Sequence, residues 1–100
     1  MEFKEVLQGR QAVLVEFSAK WCGPCQTMEV LLDEIISQNS NRLELLKIDI
    51  DQNPLAAAAF SVRSVPTLIL FKDGEILWKK SGLISKNELE EVLSQKTGDQ

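Results

Sequence analysis

Trp21-Cys22-Gly23-Pro24-Cys25 holds both cysteines of this 100-residue chain, and its reading decides what the rest can be. Two thiols separated by two residues can close a disulfide and reopen it. The sequence has no third cysteine and no histidine, so a four-ligand zinc site of cysteine and histidine cannot be assembled within one chain. So short a loop is also a weak staple, worth roughly 2 kcal/mol before strain in the chain-entropy picture. Reversible redox chemistry remains, set against the plainer reading of two buried, inert thiols.

On the N-terminal side, Ala12 to Ser18 alternates as a strand, with Val13, Val15 and Phe17 on one face and Leu14, Glu16 and Ser18 on the other. Both faces are largely apolar, as for a central strand covered on both sides. On the C-terminal side, Met28, Leu31, Leu32, Ile35 and Ile36 form a helical stripe, and Pro24 suits the helix's first turn, where a missing N–H costs nothing. Leu43 to Ile50 reads as a second strand. A short helix follows through Ala56 to Phe60, with Asn53 as its cap and Pro54 at its start. Thr67 to Phe71 is a third strand, and the Asp73-Gly74 pair predicts a hairpin returning over Ile76 to Lys80. Gly82 breaks that strand, and Ser85-Lys86-Asn87-Glu88 is a capping box opening a last helix with Leu89, Val92 and Leu93 inward. A further short helix is expected over Glu2 to Gln8, with Phe3, Val6 and Leu7 on one face. The predicted order is α-β-α-β-α-β-β-α. Right-handed crossovers would make the first three strands parallel, with the hairpin adding an antiparallel edge and helices covering both faces.

Length fits one domain, expected over 1–95, with residues 96–100 as a disordered tail. No apolar run approaches the ~20 residues that cross a bilayer, and Met1-Glu2-Phe3-Lys4-Glu5 does not begin a secretory signal. The expected location is the cytoplasm, where a reversible dithiol makes sense and a structural disulfide does not. A net charge of −4 with no basic cluster argues against a nucleic-acid partner, and no membrane partner is expected.

Taken with Val15-Glu16-Phe17, Lys47-Ile48-Asp49-Ile50-Asp51, Val65-Pro66-Thr67, Lys72-Asp73-Gly74-Glu75 and Gly82, the cysteine motif resembles the thioredoxin family over about Phe3 to Leu93. The resemblance implies an α/β, thioredoxin-like fold: a central mixed sheet of about four strands with helices on both faces. It departs from the family's usual pattern in four places. There is no room for a leading strand before the first helix. Glu16 stands where aspartate is usual, Ser18 where tryptophan is usual, and Val30 where the second helix usually carries proline. Without the leading strand, Leu43–Ile50 would be an open parallel edge. The expected state is mostly monomeric, with weak dimerisation through that edge, or shielding of it by the first helix, as the alternatives.

The resemblance also implies roles. Cys22 is the attacking thiol, open to partners at a helix tip whose dipole favours the thiolate. Cys25, one turn on and buried, resolves the mixed disulfide. Lowering a thiol pKa from about 8.5 toward 7 raises its thiolate fraction at pH 7 roughly 15-fold, but the lost basicity returns roughly 5-fold. The net gain of about threefold leaves most of the rate to positioning and docking. Glu16 is the expected acceptor of the Cys25 proton, with a pKa raised by burial; the plainer alternative is a side chain that reaches solvent. Lys47, on the same face as Leu43 and Leu45, is expected to pair with Glu16 and modulate it. Pro66 follows a cis bond and denies metals a position there. Trp21, Gly23, Pro24, Val65, Pro66 and Gly82 outline a shallow docking surface for an extended substrate, while Trp78 is assigned to packing.

The implied activity is protein disulfide reduction. It needs no cofactor, since the electrons reside in the dithiol. A flavoprotein thioredoxin reductase would be the donor and disulfide-containing proteins the targets. A redox-sensitive binding adaptor and a disulfide oxidase or isomerase are the competing readings.

Overall fold

The computed structural model describes residues 11–97. The helix expected over Glu2 to Gln8 and the last residues, 98–100, lie outside the described residues. The described elements are strand β1 (Ala12–Ser18), helix α1 (Gly23–Asn39), β2 (Leu43–Asp49), the short helix α2 (Pro54–Ala59), β3 (Thr67–Lys72), β4 (Glu75–Ser81) and α3 (Lys86–Thr97). The four strands form one sheet in the order β2-β1-β3-β4.

The alternation read from β1 divides the interior into two cores. Ala12 and Leu14 join Leu68 and Leu70 of β3 on one face, against Met28, Leu32 and Ile35 of α1 and Leu89 and Leu93 of α3. Val13, Val15 and Phe17 join Ile48, Ile69 and Phe71 on the other, with Ala56 and Phe60 packed on them from the α2 region. The Phe60 ring stands edge-on to Phe71, with centroids 5.3 Å apart, an arrangement aromatic quadrupoles favour. β1 and β3 are buried on both faces, which places the C-terminal end of β1 at a rigid point of the molecule.

One expected direction is wrong. β1 and β2 are parallel, but β3 runs antiparallel to β1, with Phe17 opposite Thr67. The reason lies in the connection. β2 ends at Asp49, opposite Ser18, and β3 begins at Thr67, so both meet the same end of the sheet. The only helix between them has 6 residues, about 9 Å of rise, whereas returning along a seven-residue strand takes roughly 23 Å. The link crosses one end of the sheet instead of retracing its length, and β3 must run back.

Turn and cap chemistry account for the remaining boundaries, with three differences from expectation. Asp73 and Gly74 both have positive φ, 54° and 80°, as the two-residue hairpin turn requires. A bulge between Leu70 and Phe71 shifts the β4 register. Asn53 does not cap α2 through its side chain; its Nδ2 donates to the Asp49 carbonyl at 3.1 Å. The Asp49 carboxylate instead accepts from the Asp51 and Gln52 backbone N–H groups at 2.8 and 3.2 Å and shapes the turn after β2. Only half of the capping box at α3 forms. The Glu88 N–H donates to Ser85 Oγ at 3.1 Å, while the Glu88 carboxylate goes to Lys80 at 2.9 Å. Finally, Lys96 and Thr97 continue α3 where composition suggested a disordered tail. Thr97 Oγ1 donates back to the Leu93 carbonyl, and a lysine in a last helical turn is favoured by the dipole.

Ser85→Ala is expected to lower stability by about 1 kcal/mol, the usual loss for a serine cap, with the urea midpoint shifted and the slope unchanged. An unchanged midpoint would mean that the Ser85 hydroxyl adds nothing to the helix end.

Candidate active site

β1 delivers the chain to the C-terminal end of the sheet, where a tight turn reverses it into α1. The Cys22 N–H donates to the Ala19 carbonyl at 3.2 Å, and Cys22 itself occupies the N-cap position in extended geometry, φ −93° and ψ 106°. Its sulfur takes the place usually filled by a serine or aspartate oxygen: Cys22 Sγ accepts from the Cys25 backbone N–H at 3.1 Å. Pro24 sits in the first turn, as its missing donor allows. The two cysteines are joined, with their Cα atoms 5.3 Å apart, inside the range a disulfide spans.

Whole-residue exposure does not separate the two cysteines in this disulfide form. Cys22 is 4% exposed and Cys25 3%. Both lie in one apolar cluster with Ala19, against which Ile50 and Val65 pack. The cysteines differ in position, not cover. Only Cys22 receives a helix N–H on its sulfur. It is also flanked by solvent-facing groups: Trp21 is 69% exposed, and Gly23 and Pro24 are exposed with it. A Cβ built at Gly23 would meet nothing within 4 Å, so the surface beside Cys22 is open.

The expected docking residues fall into two connected groups. Trp21 stands over the turn after β2, its indole N–H donating to Asp51 Oδ2 at 2.9 Å. Val65 packs against the cysteine cluster, and the Val65–Pro66 bond is cis. The Pro66 carbonyl accepts from the Gly82 N–H at 2.8 Å, and Gly82 holds φ 91°, which a side chain would strain. Thr67 anchors this loop from below. Wholly buried, its hydroxyl lies 2.7 Å from the Ser64 carbonyl and 3.1 Å from Ser81 Oγ. The sequence reading used Thr67 only as a strand start and as part of a motif, and gave no site role to Asp51, Asp49, Ile50 or Glu29. Asp49 and Asp51 stood inside a quoted motif, but nothing in their spacing told which backbone or side-chain groups they would hold.

Glu16 is fully buried, and neither of its carboxylate oxygens has a hydrogen-bond partner. Its pKa is raised from 4.5 to about 7, first by burial, then by repulsion from Glu29, against an attraction from Lys47 and with a further push from Asp33. The expected Glu16–Lys47 pair does not form. The two residues are direct cross-strand partners, but the Lys47 ammonium turns outward to Glu29 Oε1 at 3.0 Å and Asp33 Oδ1 at 3.5 Å. Those bonds, the Glu29 hydrogen bond foremost, raise the Lys47 pKa. Lys47 therefore acts on Glu16 through space only. Outward turning is the cheaper arrangement, since moving the ammonium onto the buried carboxyl would strip it of water.

A cavity of about 310 Å³, lined by Ser18, Cys25, Gln26, Glu29 and Asp49 among others, opens between the start of α1 and the ends of β1 and β2. Cys25 forms part of its wall. Ser18 contributes its small side chain to this wall, at the position where the resemblance led one to expect a tryptophan.

Comparison with known proteins agrees with this geometry. The family model described as thioredoxin matches residues 1–95. The thioredoxin of Rickettsia conorii is 44% identical over 86 residues, covering 86% of this chain and 82% of that protein. The thioredoxin of Staphylococcus haemolyticus is 48% identical over 80 residues, covering 80% of this chain and 77% of its own length. Among solved structures, a mutant thioredoxin from Halobacterium salinarum superposes with a TM-score of 0.88 at 38% identity, covering 96% of this chain and 83% of that one.

Proposed function

The chain belongs to the thioredoxin family and is a thiol–disulfide oxidoreductase that reduces protein disulfides, and from that premise we propose a division of labour among its site residues. The Cys22 thiolate attacks one sulfur of the target disulfide. A Cys22–target bond forms, the target's S–S bond breaks, and the departing target thiolate is protonated. Cys25 then gives its proton to the Glu16 carboxylate and attacks Cys22 Sγ. The Cys22–target bond breaks, the second target thiolate leaves and takes a proton, and two electrons have passed from the Cys pair to the target.

The observation that carries this reading is the Cys22 sulfur at the helix N-cap, 3.1 Å from the Cys25 N–H. A donor aimed at that sulfur favours its ionised form and makes Cys22 the better nucleophile and the better leaving group. Glu16 supports the second step. With a pKa of about 7 it divides between acid and base near neutral pH, where a proton acceptor is most useful. Trp21, Gly23, Pro24, Val65, Pro66 and Gly82 form the surface on which an extended target segment docks. The electron donor is a flavoprotein thioredoxin reductase, and the working compartment is the cytoplasm, whose reducing poise keeps the pair open.

The test is the potential of the Cys22–Cys25 pair, equilibrated with glutathione redox buffers. A midpoint near −270 mV, the value characteristic of thioredoxins, is expected, together with accelerated reduction of insulin by dithiothreitol. A midpoint around −120 to −180 mV would turn the reading toward an oxidase or isomerase. A reducing midpoint with no acceleration of insulin reduction would favour a redox-sensitive adaptor.

A further inference from the structure

Glu16 lies in a row that crosses the sheet: Lys47 on β2, Glu16 on β1, Leu68 on β3 and Lys80 on β4 are successive register partners. A buried carboxyl flanked in its row by a lysine would ordinarily take that lysine as counter-ion. Here both lysines are engaged elsewhere. Lys80 Nζ is bonded to Glu88 of α3 at 2.9 Å. Lys47 Nζ is bonded to Glu29 at 3.0 Å and, more distantly, to Asp33 at 3.5 Å, both on α1. Leu68 offers no charge, and both Glu16 oxygens are left without a partner.

We propose that Glu29 is a positioning residue for the resolving step: by binding the Lys47 ammonium above α1, it keeps that cation off Glu16 and leaves the buried carboxyl without a counter-ion. The inference rests on the reading that Glu16 handles the Cys25 proton. Glu29 acts in two ways that reinforce each other. Its own charge repels the Glu16 carboxylate, and it occupies the cation that would stabilise that carboxylate. It also lines the cavity that reaches Cys25, so the device stands beside the thiol whose proton must move. Asp33 assists from one helical turn further along, at the longer distance. Each bond in this surface group is individually weak, because Lys47 and Glu29 are both about half exposed. The effect on Glu16 is larger than the strength of the pair, because a charge placed near a buried, unpartnered group is poorly screened.

Glu29→Gln keeps the shape and removes the charge. It is expected to move the titration of the Glu16 carboxyl, followed by carbon NMR of that side chain in the disulfide form, downward by roughly one pH unit. In a Lys47→Met background the same substitution should move it measurably less, since only the direct repulsion is then removed. An unmoved titration, or equal shifts in the two backgrounds, overturns the proposal. The pH profile of insulin reduction is read in parallel on the same variants. A profile that follows the NMR shift supports the full account. An NMR shift with an unmoved profile leaves Glu29's hold on Lys47 established and instead removes Glu16 from the proton transfer.

Discussion

Replacing Cys25 by serine is expected to end catalytic turnover and leave the protein bonded through Cys22 to its substrate. The serine hydroxyl cannot attack a mixed disulfide, so the first exchange goes forward and the second does not. The intact protein holds the resolving thiol within one helical turn of the bond it must break, at a Cα separation of 5.3 Å. Groups held in such geometry behave as if present at effective concentrations of about 10⁵ M or more, far above any free thiol in solution. A loss of at least about 10³-fold in insulin reduction is therefore expected, with a covalent adduct visible by mass and on a non-reducing gel. Folding should be preserved, because the backbone N–H of residue 25 still donates to Cys22 Sγ. Cys22→Ser provides the opposite case, with turnover lost and no adduct. The comparison is a real test because the two cysteines are covered almost equally in the disulfide form, 4% against 3%. If exposure governed reactivity, the two single-cysteine variants would trap substrate alike, and adducts of equal yield would refute the assignment. If the N-cap position governs it, only the variant that retains Cys22 will.

The N-cap position of Cys22, on which that test turns, was legible in the sequence because it depends on local order. A thiol just before a proline-initiated helix must meet the helix's unpaired N–H groups wherever the helix goes. The two faces of β1 and the stripe on α1 were legible for the same reason: a period of two and a period of 3.6 each encode which residues share a side. Strand direction has no such period. Nothing within Thr67–Lys72 distinguishes a parallel from an antiparallel neighbour, and the shortness of Pro54–Ala59 carried the only hint. Lys47 shows a second limit. Alternation placed it on the face of Glu16, and their register makes them direct partners. Which carboxylate the flexible ammonium takes depends both on desolvation and on the carboxylates that α1 presents to it, and the sequence reading gave no weight to Glu29 and Asp33 one turn apart on α1. The near-equal cover of the two cysteines was hidden too, because it depends on how the turn packs against Ile50 and Val65, which are distant in sequence.

Glu16→Leu is expected to change the pH dependence of stability more than any other single substitution on this sheet. In the fold the carboxyl has a pKa of about 7, against 4.5 in the unfolded chain. Because the folded value is the higher, the folded state holds a proton that the unfolded state has already released over the interval between them. Stability from this group is therefore fully present below about pH 4.5, declines as pH rises toward 7, and is lost above it. Between pH 5 and pH 8 the wild type should lose up to roughly 2–3 kcal/mol relative to the leucine variant, or about 10–20 °C in melting temperature for a chain of this size. The comparison should be made by urea denaturation of the disulfide form, so that no cysteine titrates. Other titrating groups are common to both proteins and cancel in the difference. Curves that stay parallel from pH 5 to pH 8 would mean that Glu16 reaches solvent or a counter-ion after all. Leucine fits the site chemically, between Leu14 on its own strand face and Leu68 across the sheet, so the variant should be the more stable protein at pH 8. It should also be the slower one, because it has nothing to accept the Cys25 proton. A buried carboxyl that destabilises the fold in the same pH range where it is needed is what a catalytic group would be expected to show, whereas a structural one would have been given a partner.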